Sequence, residues 1–270
     1  MMIDERFFKA EREGPILWLI LNRPEVRNRM PLAFFDALVP AFASIDADTE
    51  IRVVVIRAEG PCFTVGLDLA DAGPEILGDG SAFSRERLRR RILELQKSSG
   101  VIDRCRVPVI AAIHGYCIGG GIDVTSACDI RLATRDAVFS VRETKIGIVA
   151  DLGTLQRLPS LIGYGLCREL ALTGRNFTAE EALRMGFITH LAEDRETLYA
   201  EARRLAGEIA DNPPLAVQGV KDVLNHTRDH GISQSLAYVA QKNAAAIPSE
   251  DLLEAVGAFM EKRKPQFKGR

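Results

Sequence analysis

The stretch that most constrains this chain is Val107 to Ala127. Val107-Pro108-Val109-Ile110-Ala111-Ala112-Ile113 reads as a strand, His114-Gly115-Tyr116-Cys117-Ile118-Gly119-Gly120-Gly121 follows it, and Ile122 to Ala127 reads as a buried helix. A strand that passes through glycines into an apolar helix brings bare backbone N–H groups to the helix start. Glycine there permits unusual dihedrals and close approach of a ligand to the main chain. Free N–H groups at such a point stabilise a negative oxygen. The same glycines serve equally well as a tight turn packing a helix on a sheet. The spacing fits neither GxGxxG nor GxxxxGK[ST], which disfavours nucleotide binding.

Around this unit, strand and helix signals alternate. Ile16 to Leu21 is an apolar run closed by Asn22-Arg23-Pro24, and Ile51 to Ala58 is a strand rich in β-branched residues. Between them Pro31 opens an amphipathic helix to about Ala47, with Leu32, Phe34, Phe35, Leu38 and Phe42 mostly at helical spacing. Glu59-Gly60-Pro61 stops the second strand, and a loop is expected to about Gly80, then a charged helix over 82–104. Short strands are expected at Ile130 to Ala133 and Val138 to Val141. After Gly153 the pattern predicts helices near 153–158, 160–172, 178–185, 195–211, 213–229, 232–246 and 248–263. Strands early and helices late describe an α/β core followed by a helical C-terminal region.

The net charge of −2 over 270 residues gives no broad pull toward nucleic acid or an anionic membrane. Five cysteines, an odd count without CxxC, suit reduced thiols and argue against a disulfide framework or a zinc knuckle. Met1 to Ala10 has no continuous apolar stretch, and no run reaches membrane-spanning length. The C-terminal Phe267-Lys268-Gly269-Arg270 is not of the Ser-Lys-Leu type. The expected location is therefore cytoplasmic, while an organellar mature form stays open.

Three carboxylates follow the glycine unit. Asp123 falls in the first turn of the helix, where an acid suits the positive helix end. Its neighbours Ile122, Val124 and Ala127 predict burial, and a buried acid without a basic neighbour needs a reason. Glu143 follows the strand ending at Val141, and by itself reads as a surface acid. Asp151, before Leu152-Gly153-Thr154, reads simplest as a helix N-cap. On one straight helix Glu143 and Asp151 would lie on the order of 12 Å apart, but Gly147 interrupts the segment and lets it fold back. A second backbone donor could come from Phe63-Thr64-Val65-Gly66-Leu67-Asp68-Leu69.

Read together, these segments resemble the crotonase (enoyl-CoA hydratase/isomerase) family. The matching stretches are Asn22-Arg23-Pro24 with Asn28 and Met30, the Phe63 to Asp68 loop, His114 to Gly121, and Gly153-Thr154-Leu155-Gln156-Arg157-Leu158. They occur in family order across roughly residues 10 to 265. Asp123 replaces the glutamate of hydratases, and Asp151 stands where hydratases carry a small residue; this pattern looks like the dienoyl-CoA isomerase branch. The resemblance implies a crotonase-like spiral of ββα units over residues 1–200 with the CoA site. It also implies a helical C-terminal trimerisation region over 201–270, assembled as a homotrimer or homohexamer. The substrate implied is an acyl-CoA thioester, with coenzyme A as part of the substrate and no separate cofactor or metal. Its carbonyl would sit between the N–H groups of Leu67 and Gly120, and Arg27, Val65, Gly66, Asp68, Leu69 and Gly121 would line the ester's path. Asp123, Glu143 and Asp151 would be catalytic, with Glu143 and Asp151 moving a proton from C2 to C6 and Asp123 tuning them as a like charge.

The rival readings are an enoyl-CoA hydratase, and a non-catalytic binding protein of this fold, including an RNA binder using Arg85, Arg87, Arg89, Arg90 and Arg91. That arginine run, like Lys262-Arg263-Lys264, reads first as a solvated face. His226 and His230 have metal-compatible spacing but no HExxH, and read as a polar helix end; His114 reads as a satisfied buried histidine and Trp18 as core.

Overall fold

Strands whose residues are apolar at nearly every position must be covered on both faces, and three strands here are of that kind, one of them interrupted by a single arginine, Arg57. The computed structural model describes residues 2–247 and 249–270. Its strands are β1 Phe8–Glu13, β2 Ile16–Leu21, β3 Val53–Ala58, β4 Val109–Ile113, β5 Tyr116–Ile118, β6 Ile130–Thr134, β7 Val138–Ser140, β8 Phe177–Thr178 and β9 His190–Ala192. Its helices are α1 Leu32–Ala47, α2 Leu69–Leu77, α3 Ala82–Arg104, α4 Gly120–Ser126, α5 Thr154–Ile162, α6 Tyr164–Thr173, α7 Ala179–Met185, α8 Arg195–Ala210, α9 Pro214–His230, α10 Ile232–Ala246 and α11 Glu250–Glu261. A six-stranded sheet runs β1-β2-β3-β4-β6-β9, parallel except for β1 against β2, and a small sheet runs β5-β7-β8.

Side chains alternate across the large sheet. Ile16, Trp18, Ile20, Val53, Val55, Ile110 and Ala112 face α8, whose Ala202, Ala206 and Ala210 permit close approach. Leu17, Leu19, Val54, Ile56, Val109 and Ala111 face the main core with Phe35, Leu38 and Phe42 of α1. The chain coils: β4 lies in the large sheet, β5 in the small one, and α4 follows; β6 and β7 repeat the step before α5. Thr64 makes an isolated parallel bridge to Cys117, so the turn after β3 follows the same path. This is the expected ββα spiral, and α8 carries the chain from it across residue 200.

Lys221 of α9 is buried and donates to Ile102 O (3.3 Å), Val107 O (3.1 Å) and Asp129 Oδ2 (2.8 Å). The outer helices are thereby tied to the corner between α3 and β4. Beyond that tie they leave apolar side chains uncovered, including Leu253 at 73% and Phe259 at 83% exposure. Among the described residues no helix is long and apolar enough to cross a membrane.

The late helices form where the pattern places them; Pro248, the first residue of the last expected helix, and Met1 of the N-terminal stretch lie outside the described residues. The short strands β5, β8 and β9 form where the sequence pattern predicts none, and two early elements differ further. β1 buries only Phe8 and is an edge strand of charged residues, so no apolar run announces it. The segment expected as a loop up to Gly80 contains α2, despite Gly73 and Pro74. Tertiary contacts hold it: Ala72 is buried, Asp71 Oδ2 accepts the Leu32 N–H (2.9 Å), and Glu75 pairs with Arg91 (3.2 Å).

Candidate active site

The cradle begins with a buried asparagine. Asn28 Oδ1 accepts the Arg23 N–H (2.8 Å), and its Nδ2 donates to Glu59 O (2.8 Å) and Cys62 O (3.0 Å). Its own carbonyl accepts the Thr64 hydroxyl (2.6 Å), and Thr64 Oγ1 accepts the Gly66 N–H (3.0 Å). Met30 then donates to Gly66 O and accepts from Asp68 N–H, both at 2.8 Å. In that parallel bridge the Leu67 N–H points away from Met30. Gly66 has φ +86°, and a Cβ there would lie 2.6 Å from Ile118 O and 3.6 Å from Gly120 N. Only glycine lets the two loops meet. Neither Leu67 N–H nor Gly120 N–H finds a protein acceptor among the described residues. The sequence motif around Asn28 and Met30 is thus the scaffold of the cradle, a role that composition and spacing alone do not reveal.

The three acids line one cavity of about 130 Å³ with Leu67 and Gly120. Asp123 is 3% exposed. Its Oδ1 accepts both the Thr154 N–H (2.9 Å) and the Thr154 hydroxyl (2.7 Å). Burial pushes its carboxyl up to about 6, against the pull of Thr154, with the Asp151 charge adding to the rise and Arg157 opposing it. Glu143 opens a short 3₁₀ turn, Glu143–Ile146, after β7. Its Oε2 is buried without a hydrogen-bond partner, and Oε1 lies 3.4 Å from where a Gly119 Cβ would be. Burial, then the charges of Asp123 and Asp151, push its carboxyl up to about 7. Asp151 is half-buried, and burial raises its carboxyl as well. Asp151 is not the N-cap expected from the sequence. Gly153 occupies that position, and Asp123, from another helix, accepts the first N–H of α5 instead.

Asp151 also borders a second, more apolar cavity of about 320 Å³. Phe35, Leu67, Ile148, Asp151 and Leu152 line both spaces, so the two adjoin. The second is walled by Leu32, Ile76, Leu88, Ile92 and Leu95. Arg91, which grips Asp36 at 2.7 Å through both terminal nitrogens, and Glu75 are the other charged residues in its lining besides Asp151.

The other expected residues fall around this site to differing degrees. Val65, Gly66 and Leu69 line the first cavity. Arg27 is exposed, with a left-handed backbone (φ 54°) whose carbonyl accepts the Val65 N–H (3.3 Å). Asp68 is the N-cap of α2 and pairs with Arg29 (3.1 Å). Gly121 faces the interior, where a Cβ would lie 2.5 Å from Thr64 Cγ2. Away from the site, His114 Nε2 meets Gly60 O at 3.1 Å and burial lowers its proton affinity. His226 and His230 stack at 4.2 Å, and no cluster of metal-ligating side chains occurs among the described residues. In the arginine run, Glu86 binds Arg89 and Arg90, and Arg91 clamps α3 to α1 and α2.

Two backbone N–H groups without protein acceptors among the described residues, on residues that line one cavity with three carboxyls of raised proton affinity, can stabilise an oxyanion while protons move on and off neighbouring carbons. The family model described as enoyl-CoA hydratase/isomerase matches residues 11–270. A mitochondrial Delta(3,5)-Delta(2,4)-dienoyl-CoA isomerase of Dictyostelium discoideum is 43% identical over 98% of this chain and 92% of its own length. A peroxisomal protein of the same name from Arabidopsis thaliana is 42% identical over 96% of this chain and 95% of its own. The fold is similar to an enoyl-CoA hydratase from Bacillus anthracis, with a TM-score of 0.89 at 30% identity, covering 97% of this chain and 99% of that one.

Proposed function

The chain belongs to the enoyl-CoA hydratase/isomerase family, and from that premise we propose that it converts 3,5-dienoyl-CoA to 2,4-dienoyl-CoA, as an isomerase of fatty-acid β-oxidation. The observation that carries this reading is the junction at Asp151, a carboxyl shared by the oxyanion cavity and the apolar chamber beyond it. A hydratase acts on adjacent carbons, whereas a 3,5-to-2,4 shift needs a second proton-transfer group farther down the acyl chain.

Loss of a proton from C2 places charge on the thioester oxygen, where the N–H groups of Leu67 and Gly120 receive it. The extended enolate, conjugated through C3–C4 and C5–C6, then takes a proton at C6, its double bonds move to the 2 and 4 positions, and no atom is gained or lost overall. Glu143, next to Gly119 and the cradle, serves C2. Asp151, at the doorway to the chamber that takes the rest of the chain, serves C6. One member of the pair must be ionised while the other holds a proton. Three carboxyls crowded into one buried space favour that partial protonation near neutral pH, and Asp123 supplies the like charge that raises Glu143.

Asp151→Asn should lower isomerisation by about 10²-fold or more and leave binding of a saturated acyl-CoA close to wild type. Unchanged turnover would remove Asp151 from the mechanism, and efficient hydration of crotonyl-CoA by the wild-type protein would favour the hydratase reading. The uncovered apolar side chains of α11 support assembly through residues 201–270 as a homotrimer, or as a pair of trimers.

A further inference from the structure

Asp123 is held by a single residue, and that residue opens the helix that follows Asp151. Thr154 gives both its N–H and its hydroxyl to Asp123 Oδ1, at 2.9 and 2.7 Å. Thr154 is itself fully buried. The acid sits on α4, whose first residue, Gly120, supplies a cradle N–H, while Thr154 begins α5 three residues after Asp151. The pair of hydrogen bonds therefore fixes the oxyanion donor relative to the C6 acid. It also decides how readily Asp123 keeps its charge. The other charged groups facing Asp123 are Asp151 and Glu143 on the cavity side and Arg157 on α5, which is shared with Asp103 of α3 at 3.4 Å.

We propose that Thr154 is a positioning residue whose hydroxyl keeps Asp123 ionised, and that through Asp123 it sets which of the cavity acids carries the proton. With the hydroxyl present, Asp123 is the anion and the proton resides on Glu143 or Asp151, as the isomerisation requires. Without it, Asp123 becomes the easiest of the three to protonate. Glu143 then loses its like-charged neighbour and titrates lower. Valine, alanine and serine all keep the backbone N–H at 154 that bonds Asp123, so the cap of α5 remains and the hydroxyl is tested alone.

This inference rests on the isomerase reading for its kinetic test, but it also has a substrate-free one. In Thr154→Val the acid limb of the kcat/KM profile should move to lower pH by at least half a unit, with kcat down roughly ten-fold and KM within two-fold. Thr154→Ser should restore the wild-type profile. Independently, difference infrared between pH 5 and 8 should show the protonated-carboxyl band of wild type altered in Thr154→Val and recovered in Thr154→Ser; Thr154→Ala replaces the valine variant if that protein does not fold. Absence of dienoyl-CoA turnover in wild type would fail the functional reading and leave the infrared comparison standing. Identical carboxyl bands and identical acid limbs in the valine and wild-type proteins, or a serine variant no better than valine, would overturn the role of the hydroxyl.

Discussion

Glu143 shows most plainly what a residue in this site gives up. Its carboxyl is raised from the ordinary glutamate range to about 7, first by burial and then by Asp123. The folded state therefore prefers the protonated form. That preference stabilises the fold fully below the unfolded-state value and is lost as pH rises through about 7. Glu143→Gln should accordingly be more stable than wild type at pH 8, by on the order of 2 kcal/mol, with the difference closing by pH 4. Urea unfolding at the two pH values measures it, and an equal difference at both would contradict the account. The sequence exposes the acids but not their convergence. Each has an ordinary local explanation; the break at Gly147 permits the chain to fold back, but only the fold brings Glu143, Asp151 and Asp123 to one cavity. The N-cap expectation at Asp151 fails for a related reason: a local rule cannot see a cap supplied from 31 residues upstream by Asp123.

Elements with strong periodicity were legible, and those held by tertiary contacts were not. β2 and β4 announce themselves as unbroken apolar runs, and β3 as one broken only by Arg57, because both faces are covered, by α8 on one side and by the main core on the other. α2 carries Gly73 and Pro74 and reads as loop, yet Asp71 and Glu75 bind different neighbours and Ala72 is buried, which holds it helical. Its Ile76, with Leu88, Ile92 and Leu95 of α3, walls the apolar chamber. At about 320 Å³ this space holds on the order of ten water-sized groups, enough for the tail of a medium-length acyl chain beyond C6. Ile92→Trp should reduce kcat/KM for 3,5-dodecadienoyl-CoA about ten-fold or more, the scale of a lost apolar contact. Turnover of 3,5-hexadienoyl-CoA, which has no carbon beyond C6, should stay within about three-fold. Equal losses on both esters would place the tail elsewhere.

For the whole molecule, the order of strands and helices discloses the spiral and its helical end, while the outer helices keep apolar side chains that this chain alone does not cover. α11 presents Leu253, Val256, Phe259 and Met260 to solvent, a larger uncovered apolar face than a lone subunit normally keeps. Changing Leu253 and Phe259 together to glutamate should shift the mass seen by light scattering toward one subunit; an unchanged mass would direct attention to another face. Lys221 adds a mechanical consequence. Its ammonium clasps the end of α3 at Ile102, and α3 is a single rod of 23 residues whose middle walls the tail chamber. The outer bundle is therefore anchored to the same helix whose middle lines the apolar chamber.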